Sequence, residues 1–427
     1  MSGAAQRKST SKPKVIFDTD PGVDDILALL VLLASTEAEL ALITVTFGNT
    51  ELKYAYNNIL KTYQVVSNHI AQYPEDRVRF PGLEAKPTLC YGAAEPLAGK
   101  LHLAAYFHGP DGLSDITTTH PEFNIKGSTV ISDLVNESNT PAEDAIIEVL
   151  LREPYDSVIV IAVGPLTNIA RVWLKAPEAL ARARRIVVMG GALDAPGNTS
   201  ATAEFNFFAD PKAATIVMDA AKSESINLLL APLDFTGWHS VPFVHMIHPL
   251  LLSGPLLSGS DLSSAMTPIR AFTSAIFYRV RRVMQDLGAP DNFEMHDPAA
   301  VWAALAHATT PRGAPLLAGW GAVKRDFVIE CVGEYTKGGS MLRVMLFLVL
   351  TKGKGMCVVD RRGGTDKTGA VRSIDGVATS DSSDNQRFGV RVLQKSPGAA
   401  AMEKEITEKL FWDLRPISEV REPVSTS

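Results

Sequence analysis

The stretch Val15-Ile16-Phe17-Asp18-Thr19-Asp20-Pro21-Gly22-Val23-Asp24-Asp25-Ile26 sets four aspartates within eight consecutive positions, between two apolar runs. Val15 to Phe17 reads as the end of a buried strand, Pro21-Gly22 as a turn, and Ile26 to Ala34 (ILALLVLLA) as a buried helix. Crowding Asp18, Asp20, Asp24 and Asp25 at a strand end costs solvation and sets like charges against one another. A hard divalent cation removes that penalty, and such oxygen donors suit calcium or magnesium. The carboxyl end of a strand in an α/β sheet is also where ligands bind. The plainer reading is capping, because an aspartate before a helix caps it and acidic residues in the first turn complement its dipole. Capping accounts for one or two of the four, not for all of them.

Outward from this segment, apolar runs alternate with helical stretches, the pattern of βα units around a mainly parallel sheet. The spacing predicts strands at Lys14–Asp18, Leu40–Thr46, Ser157–Val163, Arg185–Met189 and Asn227–Ala231. Helices are predicted at Asp24–Ser35, Leu52–Ser67, Ala142–Leu151, Leu166–Lys175, Pro211–Ala221, Thr267–Leu287 and Ala299–Ala306. Several strands run into polar or Gly-rich turns: Phe47-Gly48-Asn49, Gly164-Pro165-Leu166-Thr167-Asn168 and Met189-Gly190-Gly191. In a parallel sheet these turns share one edge, which gathers them around Asp20 to Asp25. The stretch Val241–Ser264 reads as a loop and helix over the site, and the last hundred or so residues are less regular. No linker divides the chain, so residues 13–427 are expected to form one domain behind a polar, disordered tail over residues 1–12. Lys337-Gly338 and Lys354-Gly355 frame the run around Met345–Leu350, which reads equally as a buried strand or as an insertion over 339–354.

The chain has 427 residues, 46% hydrophobic and 21% charged, with a formal net charge of −6. That balance fits a large globular protein and leaves no electrostatic footprint for nucleic acid. No stretch is apolar for long enough to span a membrane, and the N-terminus lacks the apolar core of a secretory signal. Cys90, Cys331 and Cys357 lie far apart without metal-ligand spacing, which points to a reducing compartment. The cytosol is the default location, with the nucleus left open.

Four further patches carry polar chemistry. Asn198 precedes Ala203-Glu204-Phe205-Asn206-Phe207, whose amide and carboxylate groups together can grip a polyhydroxylated ligand; singly they are turn chemistry. His296-Asp297-Pro298 offers an imidazole and a carboxylate, although Asp297 also reads as an N-cap before proline. His108-Gly109-Pro110-Asp111-Gly112-Leu113 looks like a mobile loop with His108 as a candidate acid. Asn49 follows Phe47-Gly48 at a strand end.

Taken in order, DTDPGVDD, FGN, HGPDGL, VGPLTN, MGGALDAPGN, AEFNFFADP and MHDPAAV resemble the nucleoside hydrolase family, also called inosine-uridine preferring nucleoside hydrolases. The resemblance covers roughly Lys14 to Ala306; beyond it Val358-Val359-Asp360-Arg361-Arg362 also looks familial, and 339–354 departs from the pattern. It implies an open, mainly parallel sheet flanked by helices, with the active site at the carboxyl ends of the strands. It also implies one Ca2+ held by Asp20, Asp25, Asp297 and the carbonyl of Val163, with Asp20 as the base that activates water. Asp24, Asn49, Asn198, Glu204 and Asn206 would hold the ribose hydroxyls, with Met189 and Phe205 lining the sugar site. His296 would be the acid for the departing base, and His108 would approach that base. The expected substrate is a ribonucleoside, uridine before inosine, and the expected assembly a homodimer or homotetramer.

The chemistry is consistent: breaking a C1′–N bond develops a cationic sugar that carboxylates stabilise, and the departing base needs a proton. Two rivals differ in kind. Asp18-Thr19-Asp20 also suits a haloacid-dehalogenase-type phosphatase, although Gly22 departs from that pattern. A nucleoside-binding protein without turnover could use the same scaffold. Trp238, Trp302 and Trp320 read as core residues, not as a stack for a purine.

Overall fold

The computed structural model describes residues 12–126, 132–252, 266–331, 354–359 and 389–411. The N-terminal tail, the segment 253–265, nearly all of 339–354 and Asp360 to Arg362 lie outside them.

A nine-stranded sheet forms the centre. Its strands are β1 (Lys14–Thr19), β2 (Glu39–Val45), β3 (Thr88–Tyr91), β4 (Asn136–Ser138), β5 (Val158–Ala162), β6 (Arg185–Met189), β7 (Leu228–Ala231), β10 (Gly321–Arg325) and β13 (Val390–Lys395). Two small antiparallel pairs lie apart from it, β8 (Ser240–Pro242) with β9 (Asn292–Glu294) and β11 (Val328–Ile329) with β12 (Cys357–Val358). The order is β10-β13-β7-β6-β5-β1-β2-β3-β4, parallel throughout except for β10 on β13. From β1 the chain steps outward through β2, β3 and β4, then returns to the other side of β1 with β5, β6 and β7. The reversal between β1 and β5 opens a crevice at their carboxyl ends, where α/β sheets bind ligands.

β1 is wholly buried after Lys14, and its side chains alternate between two cores. Val15 and Phe17 face the larger core under helices Val23–Leu33, Leu52–Gln72, Pro268–Asp286 and His296–Ala306. Ile16 faces the second, under Ala142–Arg152, Thr167–Lys175 and Pro211–Lys222. Every residue of helix Val23–Leu33 is buried, which explains why its run is apolar all round.

The predicted strands and helices stand within a few residues of their expected bounds. Within the less regular C-terminal stretch, most of which lies outside the described residues, Val390–Lys395 enters the main sheet beside β7, and helix Ala399–Leu410 packs Met402, Ile406 and Leu410 into the larger core. Trp238 is also corrected: it is 79% exposed, at the turn after helix Leu233–Thr236, while Trp302 and Trp320 pack together at 4.6 Å between ring centroids. From Val241 to Leu252 the chain makes β8 and two short helices and supplies no wall to the pocket described below.

Candidate active site

The turn after β1 and the helix that follows it place Asp24 on the wall of a cavity of about 250 Å³ at the carboxyl edge of the sheet, with Asp20 and Asp25 buried beside it. The turn is held open by close packing. A Cβ on Gly22 would stand 2.6 Å from both Asn49 Nδ2 and His108 Nδ1, and Gly48, at φ +156°, lies against the Asp20 carboxylate. Asp25 accepts from the Gly22 amide at 2.9 Å, so it does close the helix N-terminus as the capping reading proposed. Its oxygens also accept from Thr19 Oγ1 at 2.5 Å and Asn49 Nδ2 at 2.8 Å. Asp297 is inside helix His296–Ala306, whose cap is Met295, so capping does not explain it.

Asp24, Asp25 and Asp297 offer oxygens all within 4.8 Å of one another, the one such acidic group among the described residues. Asp20 adjoins them: one oxygen accepts from the Asn49 amide at 2.8 Å, and the other is buried without a partner, as is one oxygen of Asp24. Burial, and then the charges of their neighbours, pushes Asp20 and Asp297 well above the usual carboxylate range and Asp24 to about 7. Orphaned buried oxygens among mutually repelling carboxylates suit a hard cation.

Asp18 does not belong to this group. Strand periodicity turns it onto the face of Ile16, where Thr44 Oγ1 donates at 2.6 Å and Asn168 Nδ2 at 2.8 Å. It is fully buried and absent from the pocket wall. The charges that act on Asp20 are those of Asp25 and Asp24, not of Asp18, so the phosphatase reading, which needs Asp18 and Asp20 paired in one site, does not fit.

Above the floor, the wall carries Asn49, Val163, Met189, Asn198, Glu204, Phe205 and Asn206. Glu204 caps helix Phe205–Ala209, accepting from the amides of Asn206 and Phe207 at 2.8 and 3.1 Å and from Gly191 at 2.8 Å. Burial raises its pKa against these donors. Asn206 Nδ2 donates to the Val163 carbonyl at 2.7 Å, and Asn198 Oδ1 accepts from the Phe205 amide at 2.9 Å. The trio read as turn chemistry is therefore both turn and wall.

His108 and His296 face the same cavity in opposite electrostatic states. His108 is buried, its Nδ1 accepts from the Val23 amide at 3.2 Å, and burial with the nearby His296 lowers its pKa to about 3. Its loop is tied down where mobility was expected. Asp111 accepts from the amides of Leu113, Asp115 and Thr117, at 2.8 to 2.9 Å, and from Thr117 Oγ1 at 2.6 Å. Burial opposes a charge on His296, but Glu294, Asp24 and Glu204 outweigh it and the net displacement is upward. Glu294 Oε2 lies 3.2 Å from His296 Nε2, and Thr236 Oγ1 lies 2.8 Å from Nδ1. Sequence reasoning did not find Glu294, Thr236 or the pocket's apolar upper wall of Phe107, Met284, Leu287 and Phe293. Only Glu294 carried a signal, two positions before His296.

The family described as inosine-uridine preferring nucleoside hydrolase matches residues 15–384. The pyrimidine-specific ribonucleoside hydrolase RihA of Salmonella typhimurium is 29% identical over 357 residues, covering 82% of this chain and 96% of that protein. Among solved structures, a plant nucleoside hydrolase superposes with a TM-score of 0.63 at 20% identity, over 93% of this chain and 98% of its own. The purine-preferring ribonucleoside hydrolase from Gardnerella vaginalis gives 0.63 at 22% identity with the same coverage. These two similarities speak for the fold.

Proposed function

The chain belongs to the inosine-uridine preferring nucleoside hydrolase family, whose members cleave the N-glycosidic bond of ribonucleosides, and we propose that it is a calcium-dependent enzyme preferring uridine, then inosine. The observation that carries the metal is the buried carboxylate floor with unpartnered oxygens on Asp20 and Asp24. Asp20, Asp25, Asp297 and the Val163 carbonyl would hold the ion, and Asp24 is close enough to Asp25 and Asp297 to join them. When bound there, calcium supplies the charge that lets these carboxylates ionise and orients and acidifies the attacking water.

The side chains divide the remaining work. The free oxygen of Asp20 takes the proton from water, while the Asn49 amide holds its other oxygen in place. Asp24, Asn49, Asn198, Glu204 and Asn206 bind the ribose hydroxyls, so a deoxynucleoside would leave buried polar groups unpaired. His296 donates a proton to the departing base, and the carboxylates of Asp24 and Glu204 stabilise the developing sugar cation. The likeness to a pyrimidine-specific relative favours uridine, as does the absence of Trp302 and Trp320 from the wall. We further propose a single domain assembled as a homodimer or homotetramer in the cytosol, the three free thiols suiting a reducing compartment. No helix among the described residues is long and apolar enough to cross a membrane.

The test is base release from a ribonucleoside panel, with and without a calcium chelator, for the wild type and Asp20→Ala. Release of uracil ahead of hypoxanthine, lost on chelation and in the variant, supports the proposal. A folded, calcium-replete wild type that binds nucleoside without releasing base would instead reveal a binding protein.

A further inference from the structure

Thr236 is fully buried and ends the short helix Leu233–Thr236, directly after β7. Its Oγ1 lies 3.3 Å from the Pro232 carbonyl, where only the hydroxyl can donate, and 2.8 Å from His296 Nδ1. When its hydrogen is directed at Pro232, the hydroxyl offers Nδ1 a lone pair, which favours the tautomer that keeps a hydrogen on that nitrogen. Nε2 is then the nitrogen whose proton comes and goes. It faces Glu294 Oε2 at 3.2 Å, on the half-exposed side of the cavity. The same short helix is anchored from a second direction: Asp234 accepts from the amides of Leu193, Asp194 and Ala195 at 2.8, 2.6 and 3.0 Å. A four-residue element thus holds both the loop leading to Asn198 and the ring of His296.

We infer that Thr236 is a positioning residue that fixes the tautomer and direction of His296 so that Nε2 delivers its proton to the leaving base. This rests on the reading of His296 as the acid. In the step, the C1′–N bond breaks, its electron pair passes to the base, and the proton on Nε2 follows it. Water adds to C1′ and gives its proton to Asp20, while Nδ1–H stays on Thr236. His296 is left neutral and regains its proton from solvent. Of the site's groups it is the His296 ring that Thr236 touches, so its loss should injure most those leaving groups that need a proton.

The experiment compares uridine with p-nitrophenyl β-D-ribofuranoside, whose nitrophenolate departs without protonation. Thr236→Val keeps the volume and removes the acceptor. Its kcat on uridine is expected to fall roughly tenfold to a hundredfold, a share of what a general acid contributes, with KM little changed. Its turnover of the nitrophenyl riboside should stay near wild type, and Thr236→Ser should restore uridine hydrolysis. His296→Ala should show the same selectivity more strongly. Equal loss on both substrates, or loss in KM alone, overturns the inference, because a merely structural role produces that pattern. So does a Thr236→Val enzyme that hydrolyses uridine normally while His296→Ala does not. If His296→Ala spares uridine, or the wild type turns over neither substrate, the underlying reading fails, and the inference with it.

Discussion

Asp18 and Asp20 stand two residues apart and are both buried, yet the fold treats them differently. Asp18, on β1, has fixed donors, Thr44 and Asn168, and no other carboxylate beside it; burial raises its pKa to about 7. Its second oxygen has no partner, and a single proton relieves that. Asp20, one residue beyond the strand, has one amide donor and three carboxylate neighbours, Asp24, Asp25 and Asp297. Protons could relieve this group only by silencing the carboxylates one by one. Burial alone therefore does not mark a catalytic carboxylate. The mark is a partnerless oxygen within a cluster of like charges, where a cation can do what protons otherwise would.

The sharpest way to break this contrast is to delete each carboxylate. Asp20→Ala should reduce kcat by about a thousandfold, within the range a general base supplies, and should cost the metal-free protein less stability than loss of Asp18, because it strands only the Asn49 amide. Asp18→Ala should do the reverse. It strands the Thr44 and Asn168 donors in the core and should cost about 2–4 kcal/mol, read from denaturant midpoints, with turnover in the folded fraction reduced far less. If Asp18→Ala proved as inactive as Asp20→Ala while fully stable, the distinction between the two residues would collapse.

Calcium should separate the two sites by pH. Without metal, Asp18 and Asp24 hold their protons up to about pH 7 in the folded state, against an ordinary value of 3.8. Between those limits the folded chain binds more protons than the unfolded one, so its stability falls as pH rises from about 4 to 7. Calcium binds the ionised carboxylates, so its stabilisation should grow over the same window. At a hundredfold excess over Kd it should reach about 2.7 kcal/mol. Asp18→Asn should remove its own share of the metal-free slope and leave the calcium effect intact. Asp25→Asn should abolish the calcium effect. Thermal melts across pH, with calcium or a chelator, measure both.

The same contrast explains what could be read from the residues alone. β1, its turn and helix Val23–Leu33 were legible because period and turn chemistry agree locally. The grouping of Asp20, Asp24, Asp25 and Asp297 followed from motif order and the common edge of a parallel sheet. Asp18 stands apart because β1 still holds it, on the face of Ile16, whereas Asp20 lies past the strand's end at Thr19, a boundary the sequence does not mark to the residue. β13 was missed because Val392 pairs with Leu230, a partner more than 150 residues away that no local pattern announces. Thr236 owes its place beside His296 to tertiary packing across sixty residues, and its neighbours in sequence carry no sign of it, whereas Glu294 stands two positions before His296.

The smallest predicted effect concerns the two histidines. The sequence offers His108 as a candidate acid, but its Nδ1 accepts from the Val23 amide and burial lowers its pKa to about 3, so it is neutral near pH 7. Its remaining N–H can donate a hydrogen bond to a ligand but cannot supply a proton with the ease of His296, whose pKa lies above the ordinary value. His108→Phe keeps a planar ring and should raise KM about tenfold, the worth of one buried hydrogen bond, with kcat nearly preserved. Because the group does not titrate between pH 5 and 8, that factor should be flat across the range, whereas loss of His296 should flatten the basic limb of the kcat profile itself. A His108→Phe penalty that grew or vanished with pH would mean that His108 exchanges protons during turnover, and the division between the two rings would have to be redrawn.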